Sequence, residues 1–326
     1  MTISVRILAN LLMAMLILFL LHRYLIFWQG WPDFPNSVSQ IFGSGQNTEN
    51  ADRWQAFTLI IAYSITLAVI IWHAFTRKSQ SLLIESERYA AWSAYVIRFA
   101  FWSVLLIGIT DTFISSLKIE NALAGIVGAD LDKQLAQARF RGLYVHYPLL
   151  VVAALIAAVT KGLSMIWLAF MVVISEFMIV ITRFIFSYEQ AYMGDLVRFW
   201  YAALFLFASA YTLIEEGHVR VDVLYAGFRQ RSKARVNVFG SLLLGIPLCF
   251  TILALGLESR QSSLSSPIIN FEISQSAYGL FVKYLMAGYL IIFAVSMAMQ
   301  FISYFLRNST VLLADKNIPS LAAEEH

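Results

Sequence analysis

The chain has 326 residues, of which 60% are hydrophobic and 13% charged, with a net charge of +3 and a mean hydropathy of +0.71. Soluble domains carry about 25% charged residues, so an ordinary soluble domain does not fit, and with no basic stripe carrying interleaved aromatics, neither does a nucleic-acid binder. The lone cysteine, Cys249, leaves no internal disulfide and no cysteine-rich metal site.

Apolar runs long enough to cross a bilayer, which takes about 20 residues, recur along the chain without the alternation of barrel strands. The predicted class is an all-α integral membrane protein of about eight transmembrane helices. The first candidate is Arg6–Trp28; its apolar run Ile7–Leu21 is followed by His22-Arg23 and bulky residues rather than a small-x-small cleavage site, so it reads as a retained span. Next come Trp54–Phe75, Ala91–Leu117, Val145–Thr160, Leu163–Phe186, Val197–Glu215, Val236–Leu257 and Gly279–Leu306. One helix from Val145 to Phe186 would be about 60 Å long, roughly twice the hydrocarbon core. A hairpin at Lys161-Gly162 is therefore expected, with one long bent helix as the alternative.

Charge supports this count. With Met1 inside, the loop carrying Arg77, Lys78 and Arg88 lies inside. So does the most basic loop, with Arg220, Arg229, Arg231, Lys233 and Arg235, as the positive-inside rule requires. Both termini are then cytoplasmic. Between spans, Leu131–Arg141 has apolar residues at 131, 135 and 138, a weak amphipathic helix. In Ser187–Phe199, Tyr188, Tyr192, Leu196 and Phe199 share one face. That stripe suits either a helix lying in the interface or a short turn with interfacial aromatics. The tail from Asn308 to His326 is small, polar and expected to be mobile.

Among charges inside the spans, Glu176 stands out at mid-span. A carboxylate at the bilayer centre costs roughly 3 kcal/mol on insertion scales and marks a function or a partner. Its plainest reading is a protonated carboxyl bonded to a neighbouring helix. Arg183 lies on nearly the same face, two turns away. Arg98 and Asp111 fall near opposite ends of the third span, where snorkelling accounts for both. His22 and His146 fall near one membrane surface and His73 and His218 near the other, which raises a haem-bearing redox subunit as a rival reading. None has a histidine three or four residues on, and no cofactor is expected. No phosphate-cradling glycine loop, zinc-binding helix or nucleophile elbow is present, so the chain does not read as an enzyme.

The densest polar cluster is Glu216-Gly217-His218-Val219-Arg220-Val221-Asp222-Val223-Leu224, directly after the sixth span. Its cations hold that end in the cytoplasm, and Glu216, His218 and Asp222 can cap helix ends. The cluster resembles the Gly-His-[Ile/Val]-x-Val-Asp signature of the small membrane (DctQ-type) subunit of tripartite ATP-independent periplasmic (TRAP) transporters. Arg183-Phe184-Ile185-Phe186 stands where that family has an Arg-aromatic-x-Phe ending to its first helix. An arm helix, a second helix, the signature, a basic loop and two more helices follow in order. The resemblance covers Ser164 to Arg307. It departs in the arm, where Asp195 stands in for the family's acid, and in the additional membrane protein ahead of the four-helix core, as in a long variant.

The resemblance implies three parts: an additional block over 1–161, a small-subunit domain over 162–308, and a cytoplasmic tail over 309–326. It implies the small permease subunit of a sodium-coupled symporter for a small organic anion in the bacterial inner membrane. Its partners would be a separate large elevator-type subunit, a periplasmic substrate-binding protein and membrane lipids. Glu216, His218, Arg220 and Asp222 would form a cytoplasmic brace, with Glu176, Arg183 and Asp195 as interface or structural contacts. The Ser262–Ser276 loop, together with Leu131–Arg141, would supply the outer ends that meet the binding protein. A haem-bearing subunit and a stand-alone channel or scaffold are the alternatives.

Overall fold

The computed structural model describes residues 2–33, 50–162, 166–214, 225–273 and 279–313. Eight of its helices are long and apolar enough to cross a membrane, and no strand occurs among the described residues. In chain order these are α1 (Thr2–Gln29), α2 (Asn50–Thr76), α3 (Leu82–Ile119), the short α4 (Leu123–Val127) and α5 (Ala129–Leu135), α6 (Ala138–Val159) and α7 (Ile166–Phe186). Then follow α8 (Ala191–Ile214), α9 (Gln230–Gly256), the short α10 (Ser265–Asn270) and α11 (Lys283–Leu313). The protein is an all-α integral membrane protein.

The expected spans are all present, but several run further than the apolar runs predict. Helix α3 has 38 residues, about 57 Å, because Leu82–Ala90 continues the helix despite Glu85, Glu87 and Arg88. Helix α6 begins at Ala138, ahead of the apolar run, and takes in Arg139 and Arg141. Each of α6 and α9 contains a π-helical turn, Gly142–His146 and Ser241–Gly245. The stretch from Val145 to Phe186 is two helices, as the length argument requires: α6 ends at Val159 and α7 starts at Ile166. Gly162 between them has φ +72°, a conformation glycine adopts without steric cost. Helix α11 continues past Asn308 to Leu313, and Ser309 is buried.

The chain forms two compact units. The first comprises Met1–Tyr89, Arg220–Pro247 and Phe301–His326. Among its described residues the polar ties centre on Arg6, which is fully buried. Arg6 donates from Nη1 to the Arg77 carbonyl at 2.5 Å and from Nη2 to the Gln80 carbonyl at 2.6 Å, and sets Nε 2.8 Å from Glu85. Ser86 and Ser303 donate to each other's carbonyls at 2.9 and 2.8 Å. Such bonds between membrane helices average about 0.6 kcal/mol each. Asn237 donates to Tyr304 and Asn308, and the Phe301 ring lies against Gly245, where a Cβ would fall 2.7 Å from it.

The second unit comprises Ala90–Val219 and Leu248–Gln300. Its core is the face of α8 carrying Tyr192, Leu196, Phe199, Trp200, Ala203 and Phe207, packed with Ile97–Ile107 of α3 and with Leu168 and Met171 of α7. The stripe read at Ser187–Phe199 is therefore real but is neither an interfacial helix nor a short turn. From Ala191 on it is the start of α8, and it faces protein. Trp200 donates from Nε1 to the Val104 carbonyl at 3.0 Å, and a Cβ on Gly108 would meet that indole at 2.6 Å, so the close approach needs glycine there. Tyr95, Arg98 and Trp102 on α3 donate to the Ala154 and Ala157 carbonyls and the Thr160 hydroxyl. Ala157 belongs to the last turn of α6, whose carbonyls have no partner within the helix, so Arg98 ties a helix end rather than snorkelling to water.

Candidate functional site

Within the second unit a polar hub is built from α3, α6 and the segment leading into α11. Asp111 is fully buried. Its Oδ1 accepts from Arg141 Nη1 at 2.9 Å and from His146 Nε2 at 3.2 Å, and its Oδ2 accepts from the Phe281 backbone N–H at 2.7 Å. Arg141, also fully buried, donates from Nη1 to Ser115 at 3.0 Å and from Nε to the Leu135 carbonyl at 2.9 Å. Its guanidinium lies 3.9 Å over the Phe281 ring, a cation–π contact that strengthens with desolvation. A carboxylate only accepts, so His146 Nε2 carries a proton. In the neutral ring Nδ1 then accepts from Tyr284 O–H at 2.8 Å.

Local structure aims these groups. The π-helical turn Gly142–His146 carries His146 inward, and such turns re-aim side chains within helices. Phe271 closes α10 with φ +51°, a left-handed conformation that costs a non-glycine residue roughly 1–2 kcal/mol. Its ring covers Gly142, whose added Cβ would fall 2.5 Å from Phe271 Cδ1, and packs on Tyr284 at 5.1 Å between ring centres. Glu272, next to Phe271, pairs with Lys283 at 2.9 Å and accepts the Tyr284 N–H on its carbonyl at 3.1 Å.

A second acid acts beside the first. Asp195, in the opening turns of α8 and buried, accepts the Leu280 N–H on Oδ2 at 3.1 Å, while Arg198 donates to Oδ1 at 3.4 Å. Two carboxylates from two helices therefore hold the consecutive backbone N–H groups of Leu280 and Phe281. Removing one partner from such a buried charged set costs about 3–5 kcal/mol. The chemistry of the hub is fixation: each of its groups is a donor or acceptor holding another element, and each of the two acids grips a backbone N–H as well as side chains.

The residues singled out in the sequence are distributed unevenly. Asp195 is in the site. Arg183 is exposed and sits 3.4 Å from Glu189 across the turn between α7 and α8. Glu176 is exposed, and among the described residues it has no hydrogen-bond or ion-pair partner, so it is not bonded to a neighbouring helix there. Glu216, His218, Arg220 and Asp222 lie outside the described residues. Asp111 does not snorkel, and Arg141, read as the end of a stretch between spans, belongs to α6; reading both by position alone missed the hub. The available signal was an acid inside an apolar run, which marks a site with a partner to be found. His22 bonds Tyr63 through Nδ1 at 3.2 Å and approaches the Pro32 carbonyl at 3.3 Å through Nε2, so His22 and His146, the pair behind the haem reading at one surface, each have both ring nitrogens engaged. Outside the spans, Tyr188 donates to Glu120 at 2.6 Å, and that bond pushes its phenol above the ordinary range.

Long apolar helices tied internally by buried polar groups define a multi-pass membrane protein of the helical-bundle class. Residues 171–310 match the family model described as tripartite ATP-independent periplasmic transporters, DctQ component. The matched stretch is similar to the small membrane subunit of that transporter family, a component of a transport system, and further membrane helices lie ahead of it. No curated protein and no solved structure matches it. The hub joins the two parts: Asp111, Ser115, Arg141 and His146 precede the match, whereas Leu280, Phe281 and Tyr284 lie within it.

Proposed function

We propose that this chain is the small permease subunit of a sodium-coupled symporter for a small organic anion in the bacterial inner membrane, with both termini cytoplasmic. It would scaffold a separate, large elevator-type subunit and help dock the periplasmic binding protein. The front block over 1–161 enlarges the immobile scaffold of the domain over 162–308. The observation that carries this reading is the hub, in which buried acids from α3 and α8 hold the backbone leading into α11. A fixed scaffold needs its helices welded by interactions that do not exchange with water, and buried, hydrogen-bonded charge pairs supply that. Glu216, His218, Arg220 and Asp222 serve as a cytoplasmic brace between subunits.

The test is purification of the tagged protein in mild detergent with mass spectrometry of what accompanies it, for the wild type and for Asp222→Ala. A stoichiometric multi-span partner with the wild type, reduced at least severalfold with Asp222→Ala, is expected. A protein that purifies alone, or with a redox enzyme, overturns the transporter reading. Unchanged assembly and uptake in Asp222→Ala overturn the brace.

A further inference from the structure

Helix α7 carries a feature that the hub and the fold leave unused. Glu176 lies at the midpoint of this 21-residue span, with about 15 Å of helix on either side, too far for a glutamate to reach water along its own helix. It is exposed on the outside of the unit. The nearest cation on its face, Arg183, is two turns away and already set on Glu189. An outward carboxylate at this depth costs roughly 3 kcal/mol on insertion scales unless it meets a partner.

The residues around it have an interface pattern. Ala169, Val173, Glu176, Val180 and Arg183 recur at alternating spacings of four and three, the heptad seam of helices that supercoil left-handedly. Val173 and Val180 are 64% and 48% exposed. The helix buries Leu168, Met171 and Ser175 instead, so the seam is a separate face. Bulky Phe170, Phe177 and Phe184 form a column at one side of it, leaving small and β-branched side chains along the seam itself. Small residues are what allow a second membrane helix to approach closely.

We infer that this seam seats one transmembrane helix of a partner chain, which presents a hydrogen-bond-donating side chain, basic or amide, opposite Glu176. Lipid tails offer no donor to a carboxylate at this depth, and a second copy of the same seam would set acid against acid. If the reading under Proposed function holds, the partner is the large subunit; the inference rests on that reading for the partner's identity only.

The experiment places a photoreactive amino acid singly at Val173, Val180, Trp167 and Ile174 in the full chain, irradiates native membranes and identifies the adducts. The expected result is adducts from Val173 and Val180 to a co-purifying multi-span chain, at least tenfold stronger than from Trp167 or Ile174. They should fall at least tenfold in Glu176→Ala and less in Glu176→Gln, which keeps an acceptor. If the multi-span partner co-purifies but the seam positions give no adduct, or no more than the other two, the seam is wrong and the transporter reading stands. Adducts joining two copies of this chain also overturn the seam. Seam adducts to a membrane protein of another kind keep the seam and overturn the transporter reading. Neither adducts nor a co-purifying partner overturns both.

Discussion

Among the described residues two arginines are completely buried, one in each unit, and they are held differently. Arg6 in the first unit spends two of its donors on the backbone carbonyls of Arg77 and Gln80 and meets one acid, Glu85. In the second unit the acid, not the arginine, is the centre: Asp111 receives Arg141, His146 and the Phe281 N–H. An arginine that grips carbonyls stabilises a turn. An acid that receives donors from several elements decides where those elements stand, so its loss is felt by all of them at once.

That difference can be broken experimentally. The largest effect is expected from Asp111→Ala, which leaves Arg141 and the Phe281 N–H buried without their acceptor and should destabilise the protein by about 3–5 kcal/mol. The check is thermal unfolding in detergent followed by size-exclusion chromatography. The comparison sharpens with paired replacements. Arg6→Met with Glu85→Leu should come close to wild type, because buried ion pairs are often replaceable by apolar residues and the carbonyls it frees belong to half-buried Arg77 and exposed Gln80, where water can replace the donor. Asp111→Leu with Arg141→Met should not, since His146 and the Phe281 N–H still lose their acceptor. Equal losses in the two pairs would erase the distinction.

A smaller effect is expected from Gly142→Ala, which drives a Cβ to 2.5 Å from Phe271 Cδ1. Overpacking of this kind costs about 1–3 kcal/mol, and adding Phe271→Leu should restore part of it in the same unfolding assay. The smallest belongs to the first unit. Ser86→Ala removes one half of the exchange with Ser303 and should cost about 0.6 kcal/mol, a small downward shift of the unfolding midpoint.

Most of the fold was legible because lipid imposes a length and an apolarity that a sequence displays directly; the eight spans follow from that. Helix ends were less legible wherever a charge inside the helix is paired. Glu85 and Arg141 read as loop residues because hydropathy registers a charge and not its partner, and the partners of Asp111 lie 30 and 170 residues away. The site was half legible for the same reason. Asp195 was found by its place in a family pattern, whereas its bond to the Leu280 N–H depends on a segment 85 residues further on. The seam on α7 was visible only in its one charge, since the outward face of a membrane helix is apolar whether it meets lipid or protein.

In the segment that enters α11, the two acids grip the peptide groups of Leu280 and Phe281 and not the side chains of those residues. What they recognise is a stretch of polypeptide in a given conformation, and any residue that offers an N–H satisfies them; proline, which has none, is the one kind that cannot. The anchorage of α11 is thus written in the acids and left blank at the place they hold. The acids ask for no hydrogen-bonding side chain at 280 or 281; what selects the side chains there is burial and, at Phe281, the Arg141 guanidinium over its ring.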